Sequence, residues 1–248
     1  MAADWPRLTP PRADRPRGES RVRRSLALVL GAALAASVGC DSPTADDQPP
    51  GYDPTVLTGG LFYRWPLGRT VSVFADTTAG PAGSDIRAAV AAGAAAWEGV
   101  VYYREFELRL VDDPRAADII VHHRQAPRLV DVRDCEPPGI AGGKTVFCAD
   151  APVAPVLPLL DGGDGRVKVD IYVDYLSTDD AALAGAGLTR QEGFASLTAH
   201  ELGHALGIGA HSTEPADLMA PVPTALGPTT RDAATLRYVL HRRPDIQL

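Results

Sequence analysis

The chain has 248 residues, long enough for one sizeable domain with appendages, and 45% hydrophobic with 22% charged residues is the balance of a globular protein. Lysine and arginine total 24 against 31 acidic residues, and the early arginines (Arg7, Arg12, Arg15, Arg17, Arg21, Arg23, Arg24) leave everything after them more acidic than the whole. That excludes nucleic acid as the main partner, because phosphate binding needs a basic surface.

From Ser25 to Gly39 the chain reads SLALVLGAALAASVG, an uncharged run set directly behind Arg21, Arg23 and Arg24. It is short for a bilayer span and has the length of a signal-peptide core, so residues 1–39 read as an export signal. Ser37-Val38-Gly39 places small residues before Cys40, and the stretch resembles the lipobox of bacterial lipoproteins, departing from it where Ser37 stands in place of the usual Leu. The resemblance implies a lipid-modified Cys40 and a protein anchored towards the periplasm or cell exterior; ordinary cleavage nearby would make it secreted instead. Membrane contact is expected only through that lipid. Residues 40–57 (CDSPTADDQPPGYDPTVL) are rich in Pro and Asp and read as a flexible tether, which leaves 58–248 as the functional domain.

Within that domain, Thr70 to Ala75 alternates as a strand does. Ser84 has the chemistry of an N-cap, and Ile86, Val90, Ala94 and Trp97 follow at helical spacing, with Trp97 as a packing anchor. Tyr102 to Val111 and Asp118 to His122 read as further strands around an Asp112-Asp113-Pro114 turn. Strand, helix, strand, strand predicts an α+β domain: a mixed sheet with a covering helix. His122 and His123 are adjacent on a strand and point to opposite faces, so they are structural rather than a shared metal site.

Cys135 and Cys148 flank a loop rich in Gly and Pro. With Cys40 committed to lipid, an even pair remains in an exported chain and a disulfide is the economical reading; a latency thiol is the alternative. Asp161-Gly162-Gly163-Asp164-Gly165 is a tight turn with two carboxylates that could help bind calcium, but it lacks the alternating oxygen ligands of an EF-hand loop, so a plain turn is the reading and Ca2+ the alternative. Arg166 to Val173 alternates cleanly and is expected to be a strand flanking a cleft, where it would pair with an extended substrate.

Thr189 with Glu192 forms a capping-box pattern that starts a helix running to Gly207. On it, His200 and His204 are four apart and share one face, with Glu201 beside them. Two imidazoles at this spacing hold a metal, and the glutamate can serve as base towards water. His211 follows at a distance from which a turning chain could supply a third ligand. Three protein ligands leave a fourth position open, as in a catalytic zinc site.

The continuation from His204-Ala-Leu-Gly207 to His211-Ser-Thr-Glu-Pro-Ala-Asp-Leu-Met219 resembles the metzincins, and within them the matrixin-like metallopeptidases. The likeness is specific from about Thr189 to Pro221. It implies a twisted mixed β-sheet with a covering helix, an active-site helix and a C-terminal helix. It also implies one catalytic Zn2+ on His200, His204 and His211, Glu201 as general base and Met219 as the Met-turn residue. Pro221, Val222 and Pro223 would wall the pocket for a substrate side chain. The chain departs from the family at position 210, where Ala210 stands in place of the third histidine. His211 comes one residue late, which reads as an insertion in Ile208-Gly209-Ala210, with Asp217 as the nearest substitute ligand.

Thr230 to Leu240 reads as a closing helix with Leu236, Val239 and Leu240 in the core, and His241 as solvated. The function expected is a monomeric zinc endopeptidase, secreted or surface-anchored, acting on proteins or peptides. A non-catalytic zinc-binding surface lipoprotein, retaining the fold as scaffold or binding module, is the alternative.

Overall fold

The computed structural model describes residues 49–78, 80–124, 142–148, 168–175 and 180–248, all within one unit spanning 41–248. The export signal, Cys40, Cys135 and the Asp161–Gly165 turn lie outside the described residues. No described helix is long and apolar enough to cross a membrane.

Alternating β-branched residues make β2 (Arg69–Ala75) the second strand, after the short β1 (Tyr63–Arg64). Helix α1 (Ile86–Glu98) follows, then β3 (Phe106–Val111), β4 (Ile119–His123), β5 (Gly143–Cys148) and β6 (Lys168–Val173). Helices α2 (Asp180–Gly185), α3 (Arg190–Leu206) and α4 (Thr230–Leu240) precede β7 (Ile246–Gln247), which pairs parallel with β1. Among the described residues the main sheet has five strands in the order β3-β2-β4-β6-β5, all parallel except β5, which runs antiparallel to β6. The protein is therefore α+β with a mixed sheet, as the pattern of elements predicts.

Register explains the core. Val73 pairs with Ile119 and Ile119 with Val169, so Val71, Val73, Ile119, Val121, Val169, Ile171 and Val173 share one face and are fully shielded. Helix α1 covers the β2, β3 and β4 side of that face and α3 the β5 and β6 side. The two helices approach closely at Gly93, where any side chain would meet Leu202 and Ala199 at 2.9 and 3.1 Å. Trp97 is buried between them and donates its indole N–H to the Ala199 carbonyl at 2.7 Å, the anchoring role its spacing predicts.

Several elements differ from the sequence reading. The cap of α1 is Asp85, whose carboxylate accepts from the Ala88 amide at 2.9 Å; the Ser84 hydroxyl turns back to the Pro81 carbonyl instead. Strand β3 begins at Phe106 rather than Tyr102, because the Glu105 carboxylate accepts from the Tyr103 amide and Arg104 takes a left-handed φ of 53°. Strand β6 is interior, between β4 and β5, so it cannot pair with a substrate; the edge strand on the α3 side is β5. His241 is not solvated: its Nε2 lies 2.9 Å from the Glu105 carboxylate.

His122 and His123 do point apart. His123 stacks on Phe194 of α3 at 5.3 Å, while His122 stacks on Tyr172 on the other face at 5.0 Å, between the buried Asp76 and Asp170 carboxylates.

The end of the stretch whose composition reads as a tether is packed. The Gly51 amide donates to Thr235 Oγ1 at 3.0 Å, the Tyr52 hydroxyl to Asp232 at 2.8 Å, and the Leu57 amide to the Gly209 carbonyl at 2.7 Å. The low apolar content of 40–57 hides these contacts, because they are made by main-chain and polar groups on partners far along the chain.

Candidate metal centre

Helix α3 starts as the Thr189-Glu192 pattern predicts: Thr189 Oγ1 accepts from the Glu192 amide, and the Glu192 carboxylate accepts from the Thr189 amide at 2.7 Å. It ends at Gly207, whose φ of 127° turns the chain out of the helix. The carbonyls of its last turn are taken up by aromatic side chains, with the Tyr63 hydroxyl donating to His204 O at 2.6 Å and the Trp65 indole to Ala205 O at 2.9 Å.

His200, His204 and His211 come together. Their ring centroids are 4.8, 5.2 and 5.1 Å apart in the three pairs, and one nitrogen from each lies within 4.8 Å of the others. Among the described residues this is the group that could hold a metal ion. The one-residue displacement of His211 is absorbed in the loop before it. Ile208 and Ala210 are fully buried, and Gly209 fits under Thr58, Pro54 and Tyr63, where a side chain would collide. Ala210 is thus turned inward, and His211 reaches the site from the exposed side.

The donor set fits a metal. His200 Nδ1 faces the Leu218 carbonyl at 2.8 Å and His204 Nδ1 the Ile208 carbonyl at 2.6 Å. A carbonyl only accepts, so both Nδ1 atoms carry the hydrogen and both Nε2 atoms present lone pairs. Those two Nε2 atoms converge to 3.1 Å, close to the roughly 3.3 Å expected between two nitrogens on a tetrahedral zinc. Burial, reinforced by the neighbouring imidazoles, holds His200 well below 6.5, and burial lowers His204 to about 4. His211, although exposed, is lowered by the partial loss of water around its ring. Neutral imidazoles with converging lone pairs and backbone-held Nδ1 atoms are what a divalent cation requires.

Glu201 is 4% exposed on the same turn. Burial raises its carboxyl to about 7, against the opposing effects of a hydrogen bond from Thr145 and the Lys144 charge. Thr145 on β5 donates to Glu201 Oε2 at 2.7 Å, and the carboxylate lies against Gly143, where a Cβ would collide with it.

Met219 is fully buried beneath the helix, its sulfur against Gly203; a Cβ at 203 would meet Met219 Sδ at 2.5 Å and Trp97 at 2.6 Å. The loop from His211 to Met219 is closed by the Ser212 amide on the Met219 carbonyl at 2.7 Å. Asp217 is not a substitute ligand. It accepts from Ser212, from Thr229 at 2.6 Å and from Arg231 at 2.9 Å, and so braces the loop. Asp232 completes the capping box that Thr229 opens on α4 and also accepts from the Leu218 amide at 2.9 Å, which ties the Met219 turn to that helix. Pro221 and Val222 are exposed and Pro223 half-buried directly after it. Cys148 ends β5, and its expected partner Cys135 lies outside the described residues.

Sequence reasoning missed Thr145, Gly143, Asp232 and Leu57. Gly203 did carry a signal: a glycine inside a helix costs about 1 kcal/mol and marks a close approach. Compared with models of known protein families and with curated protein sequences, the chain matches none.

Proposed function

We propose that the chain is an exported zinc endopeptidase of the metzincin type, anchored through Cys40 or secreted, that acts as a monomer on protein or peptide substrates. The observation that carries this reading is a buried carboxylate, Glu201, set beside three converging imidazoles. A purely structural or binding site would gain nothing from it, since burying an acid without an ion-pair partner is costly. The sequence likeness from Thr189 to Pro221 supports the same conclusion.

His200, His204 and His211 would hold one zinc ion, which when bound supplies a Lewis acid and brings the pKa of its water towards neutrality. Glu201, raised to about 7, is poised near neutral pH to take a proton from the attacking water and deliver it to the leaving amine. Met219 and Gly203 set the floor under the helix, and Asp217 and Asp232 keep the loop carrying His211 closed. The antiparallel edge strand β5 offers an extended substrate a pairing surface, in the role first expected of the strand ending at Val173. Pro221, Val222 and Pro223 would border the pocket for a substrate side chain.

The test is Glu201→Gln in the zinc-loaded protein. Zinc stoichiometry should stay at one while casein cleavage falls by about 10²–10⁴-fold. Undiminished cleavage would remove Glu201 from the chemistry. Full zinc binding with no chelator-sensitive cleavage by the wild-type chain would favour the non-catalytic lipoprotein.

A further inference from the structure

We propose that Thr145 is a positioning residue for Glu201, fixing the orientation of its carboxylate from the strand across the cleft; this rests on the endopeptidase reading above. Strand β5 turns Gly143, Thr145 and Phe147 towards α3, and each meets the active helix or its supports: Gly143 and Thr145 lie on Glu201, and Phe147 edges against Tyr63 at 4.9 Å. The Thr145 hydroxyl donates to Glu201 Oε2 at 2.7 Å and also lies 2.9 Å from the carbonyl oxygen of the same residue. It has one hydrogen to give. The carbonyl already serves the helix ladder, which leaves the carboxylate oxygen, at the shorter distance, as the acceptor.

A glutamate side chain has three rotatable bonds, and a base is effective only when its oxygen is held within hydrogen-bond reach of the proton it takes. On α3 itself no side chain is described as hydrogen-bonded to the Glu201 carboxylate; the restraint comes from β5. Thr145 is in turn fixed by the sheet, through its pairing with the fully buried Ile171 of β6. Gly143 completes the arrangement. A Cβ there would strike Glu201 Oε1 and Leu197, so the absence of a side chain lets the carboxylate lie against the strand while Thr145 holds its other oxygen. The metal ligands and the orientation of the base therefore come from different elements: α3 and its following loop hold the ion, and β5 aims the base.

The test uses the full zinc-loaded chain, a fluorogenic peptide cleaved by the wild type, and the variants Thr145→Val and Thr145→Ser. Valine keeps the strand-forming shape and removes the donor. Thr145→Val should bind one zinc, keep KM within about twofold and lose about 10- to 100-fold in kcat. In its crystal structure the Glu201 carboxylate should leave the wild-type rotamer. Thr145→Ser should bring kcat back to within about threefold and restore that rotamer. An unmoved Glu201 in Thr145→Val, a kcat within about twofold of wild type, or no rescue by serine overturns the proposal. Should the wild-type chain cleave no peptide, the endopeptidase reading fails, and the Glu201 rotamer alone then decides whether Thr145 positions it.

Discussion

At the scale of single residues, the site is built to keep imidazoles neutral. Three histidines of ordinary pKa near 6.5 would together lose about 1,000-fold in zinc affinity between pH 7.5 and 5.5, one factor of ten for each ligand that must shed a proton. Here burial lowers His204 to about 4 and holds His200 well below its usual value. The expected loss over the same interval is therefore below about tenfold, measurable by competition with a zinc-sensitive dye. His211→Ala should weaken zinc by at least about tenfold, whereas Asp217→Asn should leave the stoichiometry at one and lower stability instead, since Asp217 serves Ser212, Thr229 and Arg231. His200, Glu201 and His204 were legible because the helical period puts them together within five residues. Thr145, Leu57 and Asp232 were not, because each reaches the site only through folding of segments far apart in the chain.

At the scale of elements, two ends of α3 can be tested separately. Thr189→Ala removes the capping box at an exposed terminus and should cost about 1 kcal/mol in urea unfolding with zinc affinity unchanged. Gly207→Ala acts at the other end, where φ is 127° and a Cβ would meet the Tyr63 carbonyl oxygen at 2.6 Å and Val239 at 2.9 Å. That change should cost about 2 kcal/mol or more and weaken zinc as well, because it displaces the loop to His211. The bounds of α1, α3 and α4 were readable from local chemistry to within a residue or so, and the caps of α1 and α3 likewise. Strand order was not. Arg166–Val173 alternates as cleanly as an edge strand does, and only pairing on both sides, with β4 and β5, reveals it as interior.

At the scale of the whole molecule, acid stability follows from a few buried carboxylates. Burial pushes Asp76 up, but the His122 imidazole 3.5 Å away and hydrogen bonds from Thr78 outweigh it and hold the group below its usual 3.8. Asp217 is likewise pushed up by burial and brought below 3.8 by Ser212, Thr229 and Arg231. A depressed carboxyl contributes stability that is present above its unfolded value and lost as pH falls through the folded one. The stability difference between wild type and Asp76→Asn should hold from neutral pH down to about 4 and shrink below it, as read by urea midpoints at each pH.

The packing of residues 51–58 bears on how the domain can be parted from whatever lies upstream. Gly51 and Tyr52 dock on α4, and Leu57 holds the carbonyl of Gly209, two residues from His211. A protease that cuts before Gly51 would leave all of these contacts in place. A cut between Tyr52 and Leu57 would remove the Gly51 and Tyr52 contacts with α4 and leave Leu57 beside the new end, so two nearby bonds differ in whether the fastening of Leu57 to Gly209 is still backed by docking on α4.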